Sequence, residues 1–311
     1  MTPARLALCA AAALLLGAPF VLPPYPLGLL LEMFLFGLFA MSLDLLVGWA
    51  GLVSLGHAAA FGLGGYTLAL LSLRAGWSLL PALLGVLVVA AAWAALTGAL
   101  CVRGRGVGFL MLTLAFAQLL HTVAYKWTSL TGGSNGLAGI PRPSLALGPL
   151  GNLPVQADGP FYFVALSAFV AGGLLLHRVG RSPVGHILQG IRANEARMRA
   201  LGFPVLRYKV AALTLAGALA AVAGALHAAY TGYVSPDSLD WVTSGEVLIM
   251  VLLGGAGTLL GPVVGAAIFL FLREVVSTLT QHWMLYLGVF FMACVLVFPQ
   301  GVVGVLRGRR A

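Results

Sequence analysis

Six histidines, at positions 57, 121, 177, 186, 227 and 282, are the residues best suited to acid–base or metal chemistry. They are scattered, and none has a carboxylate at metal-like spacing, so no metal site and no catalytic set is expected. The three cysteines, Cys9, Cys101 and Cys294, lie inside apolar runs, where packing is their expected role. Only two lysines exist, Lys126 and Lys209, and both follow tyrosine. No GxxxxGK[ST] phosphate loop is therefore present, and this chain does not bind ATP by that device. If it drives transport, ions or another subunit must supply the energy.

Buried charge of the kind an ion-coupled carrier uses is sparse. Glu32 and Asp44 fall toward opposite ends of one apolar run and Glu246 near the start of another, depths from which a side chain reaches the interface. Arg273 and Glu274 alone look deep; they make a polar contact with another helix or mark the outer boundary, and a proton or sodium relay would be expected to show more such residues.

Glycine offers a different chemistry. In "GWAGLVSLGHAAAFGLGGYTLALL" (48–71), Gly48, Gly51, Gly56, Gly62, Gly64 and Gly65 fall within 18 residues. Small residues let membrane helices approach closely. They also permit a broken helix, whose freed N–H groups can receive a carboxylate where protein or a water-filled cavity surrounds them. Both readings stay open here, as they do for Gly254, Gly255, Gly257, Gly261 and Gly265. His57 is either a packed polar residue or a gate.

These residues must be held by membrane helices. The chain has 311 residues, 61% of them hydrophobic and 8% charged, with a mean hydropathy of +1.04. Its 41 glycines are about 13% of the chain, against ~7% in soluble domains. The fold class is all-α: a polytopic transmembrane helical protein, read as one permease-like domain over 1–311. Ten apolar runs approach the length needed to cross the ~30 Å hydrocarbon layer: 6–22, 28–47, 50–73, 79–101, 107–125, 161–178, 210–231, 244–260, 262–280 and 283–300. The expected count is about ten, within 8–10. The first run is read as a helix rather than a signal peptide, because a second span follows at once and no cleavage signal is clear.

Charge orients the chain. With the N-terminus inside and ten crossings, thirteen basic residues fall inside and three outside, and the C-terminus is cytoplasmic too. This parity needs "LGGAGTLLGP" (253–262) to reverse the chain. The net charge of +9 is topological in origin, and no nucleic-acid partner is expected.

Seven of the 17 basic residues lie in one cytoplasmic loop, 179–209 with Arg178 at its edge. Ser182 can cap a helix and Pro183 suits its first position. Ile187, Ile191, Met198 and Leu201 form an apolar stripe, and Gly202 with Pro204 makes a stop. Asn194 can instead cap a separate short helix at 195–201. Such a loop either lies on anionic membrane lipid or docks a soluble partner. The opposite face carries the loop 126–160, rich in Gly and Pro.

Five segments together resemble a known family. "GLVSLGHAAAFGLGGY" (51–66), "TGGSNGLAGIP" (131–141), "IRANEARMRALGFPVLRYK" (191–209), "SGEVLIMVLLGGAGTLLGPVVGA" (244–266) and "FPQGVVGVL" (298–306) are similar to the M-type permease of branched-chain amino-acid ABC importers. The likeness runs from about residue 28 to the end. It implies a permease subunit of the bacterial inner membrane, not itself an enzyme, that moves Leu, Ile or Val by alternating access. It implies a homologous second permease, two ATPase subunits that hold ATP and Mg, and a periplasmic substrate-binding protein. It places Arg192, Asn194, Glu195, Arg197, Arg199 and Gly202 in a coupling helix. "EARMRALG" departs from the Glu-Ala-Ala…Gly pattern of ABC importers, with Arg at the third place and Gly one residue late. The expected substrate pathway is Ser54, Gly56, His57, Phe61, Gly62, Gly64 and Gly65, with Gly254, Gly255 and Gly257. Thr131, Gly132, Gly133, Ser134, Asn135 and Gly136 form the external loop that meets the binding protein or closes the pore. Urea or short amides are the alternative cargo, and ion-coupled transport the alternative mechanism.

Overall fold

In hydrocarbon every backbone N–H and C=O must be satisfied within the spanning segment, so the long apolar runs become helices. A computed structural model of the chain describes residues 14–142, 145–146, 152–153, 157–297 and 300–306. Residues 14–21 are helical. The helices that follow are α1 (Pro24–Asp44), α2 (His57–Ala75), α3 (Leu79–Cys101), α4 (Val107–Lys126) and α5 (Asp158–Arg181). After them come the short α6 (Pro183–Ala193) and α7 (Glu195–Ala200), then α8 (Val205–Thr231), α9 (Trp241–Gly254), α10 (Gly261–Leu279), α11 (Trp283–Val297) and α12 (Gly301–Leu306).

Among the described residues seven helices are long and apolar enough to cross a membrane: α1 with the turn that follows it, α2, α3, α4, α5, α8 and α10. The all-α polytopic architecture stands, but the count of ten is not reached. The run 6–22 lies partly outside the described residues. The run 244–260 is occupied by α9, whose 14 residues reach only about 21 Å. The run 283–300 holds α11, of 15 residues, or about 22 Å. The chain does reverse at Gly255–Leu260, and α9 and α10 pack side by side.

The run 50–73 is not one helix. Helix α1 continues through a π-helical turn, Leu45–Ala50, and ends at Gly51 in the left-handed conformation, φ +69°. Residues 51–56 are non-helical, and α2 begins only at His57. Asp44 therefore lies well inside the element rather than at an interface, and it is buried.

The core is built around α8, which packs along α1, α2 and α3. Its inward positions are small, including Ala216, Ala220, Ala221, Gly224, Ala225 and Ala228. A Cβ at Gly64 would fall on the Ala221 carbonyl, and one at Gly224 on the Phe61 carbonyl. The two helices thus meet backbone to backbone, the close approach small residues allow in membranes. Large side chains such as Leu84, Val88, Leu96 and Met111 are exposed on α3 and α4, where lipid would cover them. Two polar ties join α1 to α10: Arg273 donates to Glu32 at 3.3 Å, and the Tyr25 hydroxyl donates to Glu274.

At the end of the bundle where α4 finishes, β1 (Leu137–Ala138) and β4 (Tyr233–Val234) pair antiparallel, with Leu137 opposite Val234. Two further strands, β2 (Leu145–Ala146) and β3 (Asn152–Leu153), form a second pair.

Candidate functional site

The polar loop folds as two helices. Ser182 Oγ accepts from the Gly185 N–H at 3.4 Å and Pro183 opens α6. Asn194 is extended, φ −160°, and breaks the helix. Its Oδ1 accepts from the Arg197 N–H at 2.9 Å and so starts α7. The break turns the expected stripe: Ile191 is buried, whereas Leu201 is 65% exposed. Gly202, at φ +85°, ends the unit.

Glu195 is the loop's electrostatic anchor. Its two carboxylate oxygens accept from Arg199 at 2.5 Å and from Lys209, at the root of α8, at 2.7 Å. Partial burial pushes the carboxyl up, but the bonds and charges of Lys209 and Arg199 prevail and hold it below the usual carboxylate range. Arg197 is exposed. Arg192 turns the other way: its guanidinium donates to the Gly48 carbonyl in the π-helical turn.

That contact brings the loop to both glycine clusters. Asp44 Oδ1 accepts from the Gly257 N–H at 2.7 Å, across 213 positions of sequence. A Cβ at Gly48 would collide with Asp44 Oδ1 and with the Gly257 backbone. Gly255 and Gly257 have φ of +112° and +84°, conformations that favour glycine and turn the chain between α9 and α10. Gly254 abuts Gly261 and Gly265, and Gly255 abuts Gln300 at the start of α12. The π turn, the α9–α10 turn and α6 therefore meet at one polar knot.

Above the knot, the start of α2 is held by protein groups. The Ala58 N–H donates to Ser244 Oγ at 2.9 Å, and the Gly56 N–H to Ser54 Oγ at 3.2 Å. His57 Nε2 lies 2.8 Å from Ser42 Oγ, and its ring stacks on Phe39. The broken-helix reading thus describes residues 51–56. Close packing describes Gly64, Gly224 and Gly254.

Three cavities flank α2; one, about 150 Å³, is lined by Leu63, Tyr66, Thr67 and Leu70 with Trp127 and Leu130, and the other two hold expected pathway residues. The smaller, about 40 Å³, is lined by Ser54, Gly56, His57, Trp93, Thr97 and Thr113. The larger, about 110 Å³, is lined by Phe61, Gly62, Gly65, His227, Thr231 and Tyr233, with Ser235 and Ser238. Its wall 231–238 is the segment that β1 pairs with. The expected external loop sits against that segment. Gly136 lies against Val234, and the Tyr233 hydroxyl donates to the Asn135 carbonyl at 3.0 Å. Thr131 Oγ1 donates to Trp127 O in its own turn and to Ala124 O near the end of α4, both at 2.6 Å. Gly132 and Gly133 take φ of +77° and +64°, and Ser134 lies between Gly133 and Asn135 in a 3₁₀ turn.

Of the expected pathway residues, Ser54, Gly56 and His57 face one cavity and Phe61, Gly62 and Gly65 the other. Gly64 faces α8, and Gly254, Gly255 and Gly257 form the turn below. Sequence reasoning missed Ser42, Asp44, His227 and Ser244. Ser244 opens one of the segments that resemble the permease family, Asp44 stood out as a charge in an apolar run but was placed near an interface, and His227 was marked only as one of six scattered histidines.

Comparison with known proteins gives the family of the chain. The family model described as "Branched-chain amino acid transport system / permease component" matches residues 25–299. The high-affinity branched-chain amino acid permease protein LivM of Salmonella typhimurium is 32% identical over 288 residues, which cover 86% of this chain and 67% of that protein. The Escherichia coli K12 LivM is 31% identical with the same coverage. The ribose import permease RbsC of Escherichia coli K12 is 27% identical over 70% of this chain and 68% of that protein. No solved structure matches the chain.

Proposed function

The chain belongs to the permease-component family of branched-chain amino acid transport systems, and on that premise we propose that it carries leucine, isoleucine or valine inward through an ATP-driven complex. The observation that carries the mechanism is the knot at Arg192, Gly48, Asp44 and Gly257. One side chain of the polar loop grips the turn that ends α1, and that turn is bonded to the turn between α9 and α10. A subunit that pulls on α6 and α7 moves both turns together. Because only six residues separate the π turn from α2, the displacement reaches His57 and the two cavities.

In this reading α6 and α7 face the cytoplasm and dock an ATPase subunit, with the exposed Arg197 orienting the contact. A homologous permease completes the pathway, and a periplasmic binding protein delivers the cargo against loop 126–160. Alternating access follows from ATP-driven closure of the ATPase pair. The cavity at Phe61 suits an aliphatic side chain: an apolar cavity of about 150 Å³ holds a benzene ring, and 110 Å³ is of that order. Its rim of Ser235, Ser238 and Thr231 offers hydroxyl partners for the ammonium and carboxylate groups.

The test is reconstitution of the chain with its partner permease, ATPases and binding protein in liposomes. Leucine, isoleucine or valine should accumulate only with ATP present at the ATPase side. Accumulation of ribose or urea in preference would overturn the cargo assignment. Uptake by this chain alone under an ion gradient would overturn the ATP-driven mechanism.

A further inference from the structure

The loop that bears Arg192 also forms one wall of a pocket unconnected with the knot. The cavity, about 440 Å³, lies where the turn after α3 meets the root of α8. Arg103, Arg105 and Arg199 line it, with Val102, Val205 and Leu206. Arg103 and Arg105 are exposed and have neither an ion pair nor a side-chain hydrogen bond among the described residues. No carboxylate lines the pocket. Glu195, on the same short helix as Arg199, is committed to Arg199 and Lys209. Two guanidinium groups without a counter-charge, Arg103 and Arg105, therefore share one space with Arg199, whose charge is paired with Glu195.

We propose that this pocket binds the phosphate of an anionic phospholipid. Guanidinium groups present parallel N–H donors that match a phosphate, and basic pockets between membrane helices at one bilayer face take such headgroups. The apolar surface around the pocket distinguishes a lipid from free phosphate. Leu100 on α3, Val107 on α4 and Leu206 on α8 are all exposed, at 44%, 69% and 45%. They stand beside the arginines on helices that continue into the hydrocarbon, where acyl chains would lie. The bound lipid would bridge the α3–α4 turn to α7 and steady the loop from the membrane side.

The experiment uses the full chain purified in a neutral detergent, with lipid retention read by native mass spectrometry. Wild type should retain phosphatidylglycerol over phosphatidylcholine, and R103Q/R105Q should lower that retention about thirtyfold, the loss expected for two arginines near an anionic headgroup. The control R178Q/R181Q removes the same charge from the same end of the bundle and should leave retention within twofold. Equal loss in both double variants would show bulk attraction and overturn the pocket, as would equal retention of the two lipids by wild type. Displacement of phosphatidylglycerol by inorganic phosphate at equal concentration would overturn the lipid in favour of a free anion. If R103Q/R105Q aggregates, R105Q alone, in an exposed turn, should still lower retention about fivefold, and no change there would overturn the proposal.

Discussion

Replacing Arg192 with Gln tests whether the loop drives the membrane domain or only touches it. The guanidinium donates to the Gly48 carbonyl in a partly buried setting. A hydrogen bond from a charged group is worth about 1.5–3 kcal/mol, and its loss also leaves the carbonyl short of a donor. At about 1.4 kcal/mol per factor of ten, the engaged arrangement would lose roughly 10- to 150-fold in population. Gln is too short and uncharged to recover this. Residues that shape α7, including Asn194, Glu195 and Arg199, are untouched. The assay is uptake per ATP hydrolysed in the reconstituted complex, with co-purification of the ATPase measured in parallel. Uptake per ATP should fall about tenfold or more while co-purification holds, and Arg192→Lys should fall between the two. Uptake within twofold of wild type would falsify the relay. A parallel fall in co-purification would reassign Arg192 to docking.

Gly64→Leu should abolish uptake, because its side chain would force α2 away from the Ala221 backbone; Gly64→Ala should cost about 1–3 kcal/mol, read as earlier thermal unfolding in detergent. Glu195, held below the usual carboxylate range, fastens α7 to α8 at neutral pH and releases it only as pH falls through that lowered value. Hydrogen exchange across 195–201 should be flat from about pH 8 to about pH 5 once corrected for intrinsic rates and rise below, and Glu195→Gln should remove the dependence.

Much of this was legible in the chain. Ser182-Pro183, Asn194-Glu195 and Gly202 carry local chemistry, and the helices they start and stop stand where those residues place them. Long apolar runs gave α3, α4, α5, α8 and α10 to within a few residues. What escaped was anything that depends on a partner far along the chain. Apolar composition is the same on either side of a break, so the glycines of the run 50–73 allowed a broken helix without placing its stop at Gly51. Asp44 looked free to reach an interface, because nothing near it reveals Gly257. The length of α9 was misjudged for a related reason. Asp240 caps it by accepting from the Trp241 N–H at 2.6 Å, yet no residue of the run itself shows that the preceding turn lies inside the bundle.

The seat of that cap has a consequence for what the bilayer presents. Gln118 of α4 donates to Asp240 at 2.9 Å, eight residues before α4 ends at Lys126, so Asp240 lies about 12 Å beneath that rim. Val234, Pro236 and Leu239 of segment 232–240 are buried, and its strand pairs with β1. On the proposed orientation this is the outer end, and a segment seated below the rim would leave less of the protein beneath it to cross. A zwitterion arriving from outside would shed its hydration over a shorter path than the full hydrocarbon thickness imposes.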